Sequence, residues 1–301
     1  MDGILPLWKP RGITSHDCVY KLRKILKTKK IGHTGTLDPD VDGVLPICIG
    51  RATKVAEYLT DSSKAYEGEV TIGTATTTED ASGEVVEEKT INRLLPIEEI
   101  EKVLTTFHGQ LTQVPPMYSA VKVNGKKLYE YARQGIEVER PQRIITIYEL
   151  KLLDEFKELD NAHNKFRFYV KASKGTYVRT LAVDIGKALG YPAHMSNLTR
   201  VASGSFTTTD CLTFDEIVEQ FENGRLKLFP IERALSHLTK YEINETLEIR
   251  VKNGQVLTMP EECKGLDKFA LINKNKECVA IYKPHPTKEG LMKPEKVIRN
   301  D

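Results

Sequence analysis

Two spacings of apolar residues run through this 301-residue chain and mark out its elements. Cys18, Val19, Leu22, Ile25 and Leu26 recur at helical spacing behind Thr14 or Ser15, either of which can cap a helix running to about Leu26. Its other face is Lys21, Arg23, Lys24 and Lys27. The run Val44-Leu45-Pro46-Ile47-Cys48-Ile49 reads as a buried strand, and a second helix follows Gly50 through Val55 and Leu59. Residues 66–74 and 82–88 read as strands around the turn-forming Asp80-Ala81-Ser82-Gly83, and residues 97–107 as an amphipathic helix. Strands are expected at 143–154 and 165–172, the latter alternating Phe166, Phe168 and Val170 against Arg167, Tyr169 and Lys171. Val178, Leu181, Ala182, Ile185 and Leu189 then give the apolar face of another helix. After a break near 236–241, residues 245–251, 268–273 and 278–282 read as strands of a small, mostly β appendage, with Lys274-Asn275-Lys276 as the last turn. The expected division is 1–238 and 239–301, the second part being marginal alone and stable when docked.

Hydrophobic residues make up 40% of the chain, enough for a core, and charged residues 29%, as in soluble proteins. No apolar run reaches transmembrane length, and Met1-Asp2-Gly3-Ile4 lacks a secretion-signal pattern. Five scattered cysteines without a CxxC pair argue for reduced thiols in a cytoplasmic protein and against structural zinc. Net charge is only +2, but it is segregated. Residues 21–30 carry six Lys/Arg and no acid, and residues 165–187 six against one acid, whereas residues 79–101 carry eight Asp/Glu against two basic residues. Either one basic face meets phosphates, or these are ordinary solvated helix faces.

The stretch Gly32-His33-Thr34-Gly35-Thr36-Leu37-Asp38-Pro39 sets one carboxylate among residues suited to tight backbone turns. Asp38 is thus expected on a rigid loop at the edge of the core, as a catalytic or binding residue or as an Asx-type turn. Asp38 to Gly43 has the opening spacing of a calcium loop, but the twelfth position, which needs Glu, is Ile49. A phosphate-binding loop and a glycosidase carboxylate pair are absent as well. Arg179 is a cation in the first turn of its helix, where the helix dipole disfavours positive charge. That misfit calls for a nearby anion: a functional carboxylate or phosphate, or a structural salt bridge. Between 110 and 143, Pro115-Pro116 precedes interleaved Tyr118, Lys122, Lys126, Lys127, Tyr129, Tyr131, Arg133, Arg140 and Arg143. This composition fits an arm that tracks a nucleic-acid backbone, and equally a surface helix with buried tyrosines.

Several separated motifs make the chain resemble the bacterial tRNA pseudouridine synthase B family over nearly its whole length. They are Lys9-Pro10-Arg11-Gly12-Ile13-Thr14-Ser15, the Gly32–Pro39 loop with Gly43-Val44-Leu45-Pro46, Lys64-Ala65-Tyr66, Lys174-Gly175-Thr176-Tyr177-Val178-Arg179-Thr180-Leu181, and Leu198-Thr199-Arg200 before Gly204. The resemblance implies an α+β fold with a mixed, mostly antiparallel sheet flanked by helices, and a C-terminal β-rich PUA-like domain. It implies isomerisation of uridine 55 to pseudouridine in the TΨC arm of tRNA. Asp38 would be the nucleophile, Arg179 its carboxylate partner, and Tyr66 a stacking residue proposed also as a base. Tyr177 and Leu198 would line the uracil pocket, His33 would contact the flipped-out nucleotide, Lys9 and Pro10 would support the active-site loop, and Lys9, Gly35 and Thr36 would count among the substrate-binding residues. The charge map of the arm, rather than the resemblance, makes Lys122, Lys126 and Lys127 the residues expected to meet the RNA backbone. No metal or organic cofactor, no membrane and no obligate protein partner is implied, and a monomer is expected. Trp8 and Asp42 depart from the family's pattern beside these motifs. Two alternatives remain: a guide-RNA-dependent synthase of the same superfamily, and a non-catalytic RNA-binding protein that helps tRNA fold.

Overall fold

A computed structural model describes residues 1–154 and 158–300; Asp301, the end of the expected C-terminal segment, lies outside them. The chain forms two compact units. The first comprises Met1–Asp40, Val44–Asp61 and Ser203–Asp301, and the second Val41–Gly43 and Ser62–Ala202.

In the first unit the predicted helix forms as Ser15–Ile25. Thr14 caps it by accepting from the Asp17 amide, and the Asp17 carboxylate accepts in return from the Thr14 amide. Its buried Cys18, Val19 and Leu22 pack on Leu5, Leu7, Leu45, Ile47 and Ile49. Burying each of these larger aliphatic side chains contributes about 1.5–3 kcal/mol. The strand Asp42–Ile49 carries the predicted buried run, and it pairs with Gly3–Lys9 and with the short Ile31–His33, His33 facing Ile47. The expected helix after Gly50 is a 3-10 turn, Gly50–Val55, leading into Ala56–Thr60.

The C-terminal residues form a five-stranded sheet in the order Lys240–Glu242, Phe269–Ile272, Cys278–Pro284, Leu291–Val297, Leu257–Thr258. One side has a core of its own, including Val251, Phe269, Leu271, Val279 and Tyr282. The other side contributes Ala270, Ile272, Ile281 and Ile298 to a core shared with Ile4, Val44, Cys48, Ile231 and Leu235. Residues 245–251, expected as a strand, are instead the helix Glu245–Lys252. The alternating Leu247, Ile249 and Val251 mimic a strand, but Asn244 accepts from the Leu247 amide, and Glu245 and Arg250 sit at the ends the helix dipole favours.

The sheet of the second unit orders Ala193–Ser203, Lys64–Ile72, Lys165–Ala172, Arg143–Leu152 and Gly109–Gln113. The last four strands pair antiparallel, with Tyr66 opposite Val170 and a register shift between Ile147 and Glu149 where Arg143–Leu152 meets Lys165–Ala172. Asp42 and Gly43 pair in parallel with Thr199 and Arg200, so the sheet is mixed. Only glycine fits at 43, where φ is +116° and a Cβ would lie 2.2 Å from the Arg200 carbonyl oxygen. The expected alternation holds: Phe166, Phe168 and Val170 are buried while Arg167 and Lys171 are exposed. The helix Val178–Ala188 packs on the Lys64–Ile72 strand, and Ile97–Thr105 packs on both that helix and Arg143–Leu152. The fold is therefore α+β, a mixed sheet flanked by helices.

Candidate active site

Lys9, His33, Gly35, Thr36 and Asp38 lie in the first unit, on or beside the loop between Ile31–His33 and Asp42–Ile49. Its conformation follows from a few hydrogen bonds. The Thr34 amide and hydroxyl both donate to the Pro46 carbonyl, at 3.2 and 3.1 Å. Gly35 then turns the chain at φ +82°, which few other residues adopt without strain. Leu37 is buried, and its peptide groups bracket the buried Ser15 hydroxyl: the amide donates to Oγ at 2.9 Å and Oγ donates to the carbonyl at 3.2 Å. Beyond Asp38, the Pro39 carbonyl accepts from the Gly12 amide at 2.9 Å and from Lys9 Nζ at 3.0 Å.

Lys9 has no exposed surface, and its ammonium also donates to the Pro10 carbonyl at 2.9 Å. A buried ammonium is tolerable only when such acceptors replace its water. The motifs Lys9–Ser15 and Gly32–Pro39 are thus one structure: the first supplies donors and a hydroxyl that hold the two residues flanking Asp38. Asp38 itself is exposed and Thr36 is exposed, whereas His33 and Gly35 are half-buried.

Tyr66, Lys122, Lys126, Lys127, Tyr177, Arg179 and Leu198 lie in the second unit. Tyr66 is half-buried on its strand. Leu198 is buried and reaches toward Gly68, where a Cβ would meet its Cδ1 at 3.3 Å and the Phe168 ring at 2.6 Å. Tyr177 is the N-cap of Val178–Ala188, and its own side chain makes no capping bond. Arg179 is buried in the first turn. Its Nη1 donates to the Thr78 carbonyl at 3.1 Å and to Asp80 Oδ2 at 3.3 Å, and Nη2 donates to the Tyr118 carbonyl at 2.9 Å. The anion demanded by the helix dipole is thus present in this unit as Asp80. The other Asp80 oxygen accepts from Thr78 Oγ1 at 2.6 Å and from the Ser82 amide and hydroxyl at 3.0 and 2.6 Å. Next to it, Glu79 adopts φ +64° and accepts from Thr180 Oγ1 at 2.6 Å. Burial pushes the Glu79 carboxyl above its ordinary range, outweighing the Thr180 bond and the Arg179 and Arg140 charges.

Three partners escaped sequence reasoning: Asp80, the Tyr118 carbonyl, and Gln113, whose side-chain amide bonds both peptide groups of Tyr177. Asp80 looked like a turn residue, although the misfit of Arg179 together with the acidic stretch 79–101 signalled that an anion was needed.

The expected arm begins as a sheet strand, Gly109–Gln113. A small hairpin follows, with Lys122 facing Lys127 and Val123 facing Lys126. Its two-residue turn is Asn124-Gly125, at φ 50° and 84°, the left-handed pair that a tight hairpin needs. The helix Leu128–Arg133 comes next, with Lys126 over the Tyr131 ring and Lys127 and Arg133 near Tyr129. Lys122 and Lys126 are exposed and Lys127 is half-buried. Among the described residues no group of three or more His, Cys, Asp and Glu side chains is placed to hold a metal ion. No helix among them is long and apolar enough to cross a membrane.

Comparison with known proteins bears on this arrangement. Residues 23–178 match the family model for the N-terminal domain of TruB family pseudouridylate synthases. Residues 179–236 match the model for the C-terminal domain of tRNA pseudouridylate synthase B. A curated protein of Bacillus pumilus named tRNA pseudouridine synthase B is 57% identical, covering 100% of this chain and 99% of its own length. Its namesake in Bacillus subtilis is also 57% identical, over 99% and 98%. The structure aligns with a chain in the crystal structure of a Cbf5-Nop10-Gar1 complex at TM-score 0.76 and 29% identity, over 99% of this chain and 85% of that one. A chain in an H/ACA RNP bound to a substrate RNA aligns at TM-score 0.74 and 27% identity, over 99% and 86%. With more than half of its length inside one family model and full-length relatives well above half identical, the chain belongs to the TruB family of pseudouridine synthases.

Proposed function

We propose that this enzyme converts uridine 55 in the TΨC arm of tRNA to pseudouridine, with Asp38 as its nucleophile. The observation that carries the reading is the loop itself. The residues on both sides of Asp38 are fixed by Ser15, Gly12 and the buried Lys9, so one carboxylate is presented in one place. The relatives named tRNA pseudouridine synthase B support tRNA as substrate, since they match over the full chain at more than half identity. Those matches also rank this reading above a guide-RNA-dependent enzyme.

The chemistry needs little else. The N1–C1′ glycosidic bond of the uridine breaks, the uracil turns, and a C5–C1′ bond forms. The C5 proton leaves as another is returned to N1, so the reaction is redox-neutral and consumes no water. A carboxylate attacking sugar or base gives a covalent intermediate that keeps the two fragments together. The base must leave its stack to be reached, which calls for an aromatic platform; Tyr66 is assigned that role, with Tyr177 and Leu198 lining the pocket. His33 is assigned to the flipped nucleotide, Arg179 to charge stabilisation in the site, and Lys122, Lys126 and Lys127 to phosphates. Residues 1–238 are proposed as the catalytic part and 239–301 as a PUA-like part that adds RNA contact, in keeping with the separate sheet of the latter.

The test is tritium release from an unmodified tRNA transcript labelled at uracil C5, with wild type and Asp38→Asn in parallel. Release of one equivalent per tRNA by wild type alone is expected, with Asp38→Asn binding the transcript as tightly. A transcript bearing cytidine at 55 should abolish release. Release by Asp38→Asn at the wild-type rate would remove Asp38 from the chemistry, and tight binding without release by either protein would favour the RNA-binding reading.

A further inference from the structure

Gln113 is the last residue of the edge strand Gly109–Gln113, at the point where the chain leaves the sheet for the lysine-bearing hairpin. It is a polar side chain only 4% exposed. Its Oε1 accepts from the Tyr177 amide at 2.8 Å, and its Nε2 donates to the Tyr177 carbonyl at 3.0 Å. The amide orientation is dictated by its partners, because a flipped side chain would set donor against donor and acceptor against acceptor. One side chain thus does what a neighbouring strand would do for a single residue.

The position of Tyr177 makes this bond pair consequential. Tyr177 begins the helix Val178–Ala188 without capping it, and its carbonyl already accepts from the Leu181 amide at 3.1 Å. Gln113 is therefore what fixes the peptide plane from which the Tyr177 ring leaves the backbone. Two residues on, Arg179 donates to the Tyr118 carbonyl, which lies five residues beyond Gln113 on the same departing segment. Arg140 Nη1 donates to the Pro115 carbonyl at 3.1 Å and ties the returning segment to the same root. The root of the arm is therefore bonded to both Tyr177 and Arg179, through hydrogen bonds that span 64 and 61 residues of sequence.

We infer that Gln113 is a positioning residue through which the root of the arm fixes Tyr177, so that the arm governs the chemical step as well as RNA affinity. This rests on the assignment of Tyr177 and Arg179 to the reaction proposed above. An arm that only gripped phosphates would need no such bonds to the helix start, whereas one that orders the pocket needs a stiff link into it. The Gln113 amide transmits position well, since it is buried and would be left unsatisfied without the Tyr177 peptide groups.

The experiment compares wild type with Gln113→Leu, which keeps the side-chain bulk and removes both hydrogen bonds. Gln113→Glu serves as a second variant that keeps the acceptor for the Tyr177 amide. Single-turnover tritium release is measured at saturating tRNA transcript, and transcript affinity separately by filter binding. The expected result for Gln113→Leu is a rate lowered by about tenfold or more, with Kd within about threefold of wild type. If Gln113→Leu does not fold, Gln113→Glu is held to the same criterion. A rate within about twofold of wild type, or a loss confined to Kd, overturns the inference. Activity of the wild type in the same assay keeps that outcome distinct from failure of the proposed function, in which wild type itself would release nothing.

Discussion

Ser15→Ala removes a single oxygen atom from beneath the loop that carries Asp38. Ser15 is the first residue of its helix, and alanine is the best helix former, so helix propensity offers no cause for a loss. What disappears is the bracket on Leu37: its amide loses an acceptor at 2.9 Å and its carbonyl a donor at 3.2 Å. Both groups sit by a side chain that is 4% exposed, where water is poorly placed to substitute. An unsatisfied buried group costs about 1–3 kcal/mol, so with two such groups the loop conformation loses about 2–6 kcal/mol before it relaxes. The Thr34, Gly12 and Lys9 bonds remain and absorb part of this. A residual of about 0.7–2 kcal/mol, at about 1.4 kcal/mol per decade, lowers kcat/KM by about threefold to thirtyfold. Tritium release measures that loss, and hydrogen exchange at the Leu37 amide should speed up in parallel. Activity within about twofold of wild type together with unchanged protection at Leu37 would refute the claim that Ser15 holds the loop.

Replacing Lys122, Lys126 and Lys127 together with alanine should weaken tRNA binding and flatten its salt dependence by about 0.7–0.9 in log-log slope for each phosphate no longer neutralised; an unchanged slope would exclude the hairpin as a phosphate-binding surface. Glu79→Gln should stabilise the protein at neutral pH: the raised carboxyl favours the neutral form, so its ionisation opposes folding as pH rises toward the folded value. The gain, read as Tm against pH, should shrink as pH falls toward the ordinary carboxylate range, and a gain that grew on acidification would contradict the assignment. Four of the five cysteines are buried, with burial pushing Cys18 up to about 11 and Cys48 and Cys278 up to about 12. A thiol reagent at about pH 8 should therefore titrate Cys211 rapidly in the native protein and the others only on unfolding, as mass spectrometry of the labelled chain would report.

Elements carried by local rules were legible in the sequence. The Lys165–Ala172 strand follows from strict alternation, and the first helix from its Thr14 cap and the apolar stripe through Leu22. The strand expected at 245–251 failed because three alternating aliphatics fit either period, and a cap, itself a local signal, decided for the helix. Within the candidate site, the turn that carries Asp38 was legible because its two glycines and Pro39 are local signals. Lys9 was legible only as a loop support, since its burial depends on the chain returning from residue 39. Gln113, Asp80 and the Tyr118 carbonyl were not legible in their roles. Their partners lie 61 to 99 residues away, and a carbonyl acceptor carries no residue identity to read.

The interleaving of the two compact units also sets an order of events during synthesis. Residues 62–202 form almost all of the second unit in one uninterrupted stretch, so it can fold once that stretch has left the ribosome. The first unit cannot: Ile4 and Val44 share a core with Ile231, Ile281 and Ile298, and their partners emerge last. At ordinary elongation rates the N-terminal strand and the Asp38 loop wait roughly 10–40 s, over about 200 further residues, for the other side of that core. A message truncated after the codon for residue 236 would leave Ile4, Val44 and Cys48 without the Ile281 and Ile298 side of their core, and the nascent first unit would be a substrate for chaperones rather than a folded protein.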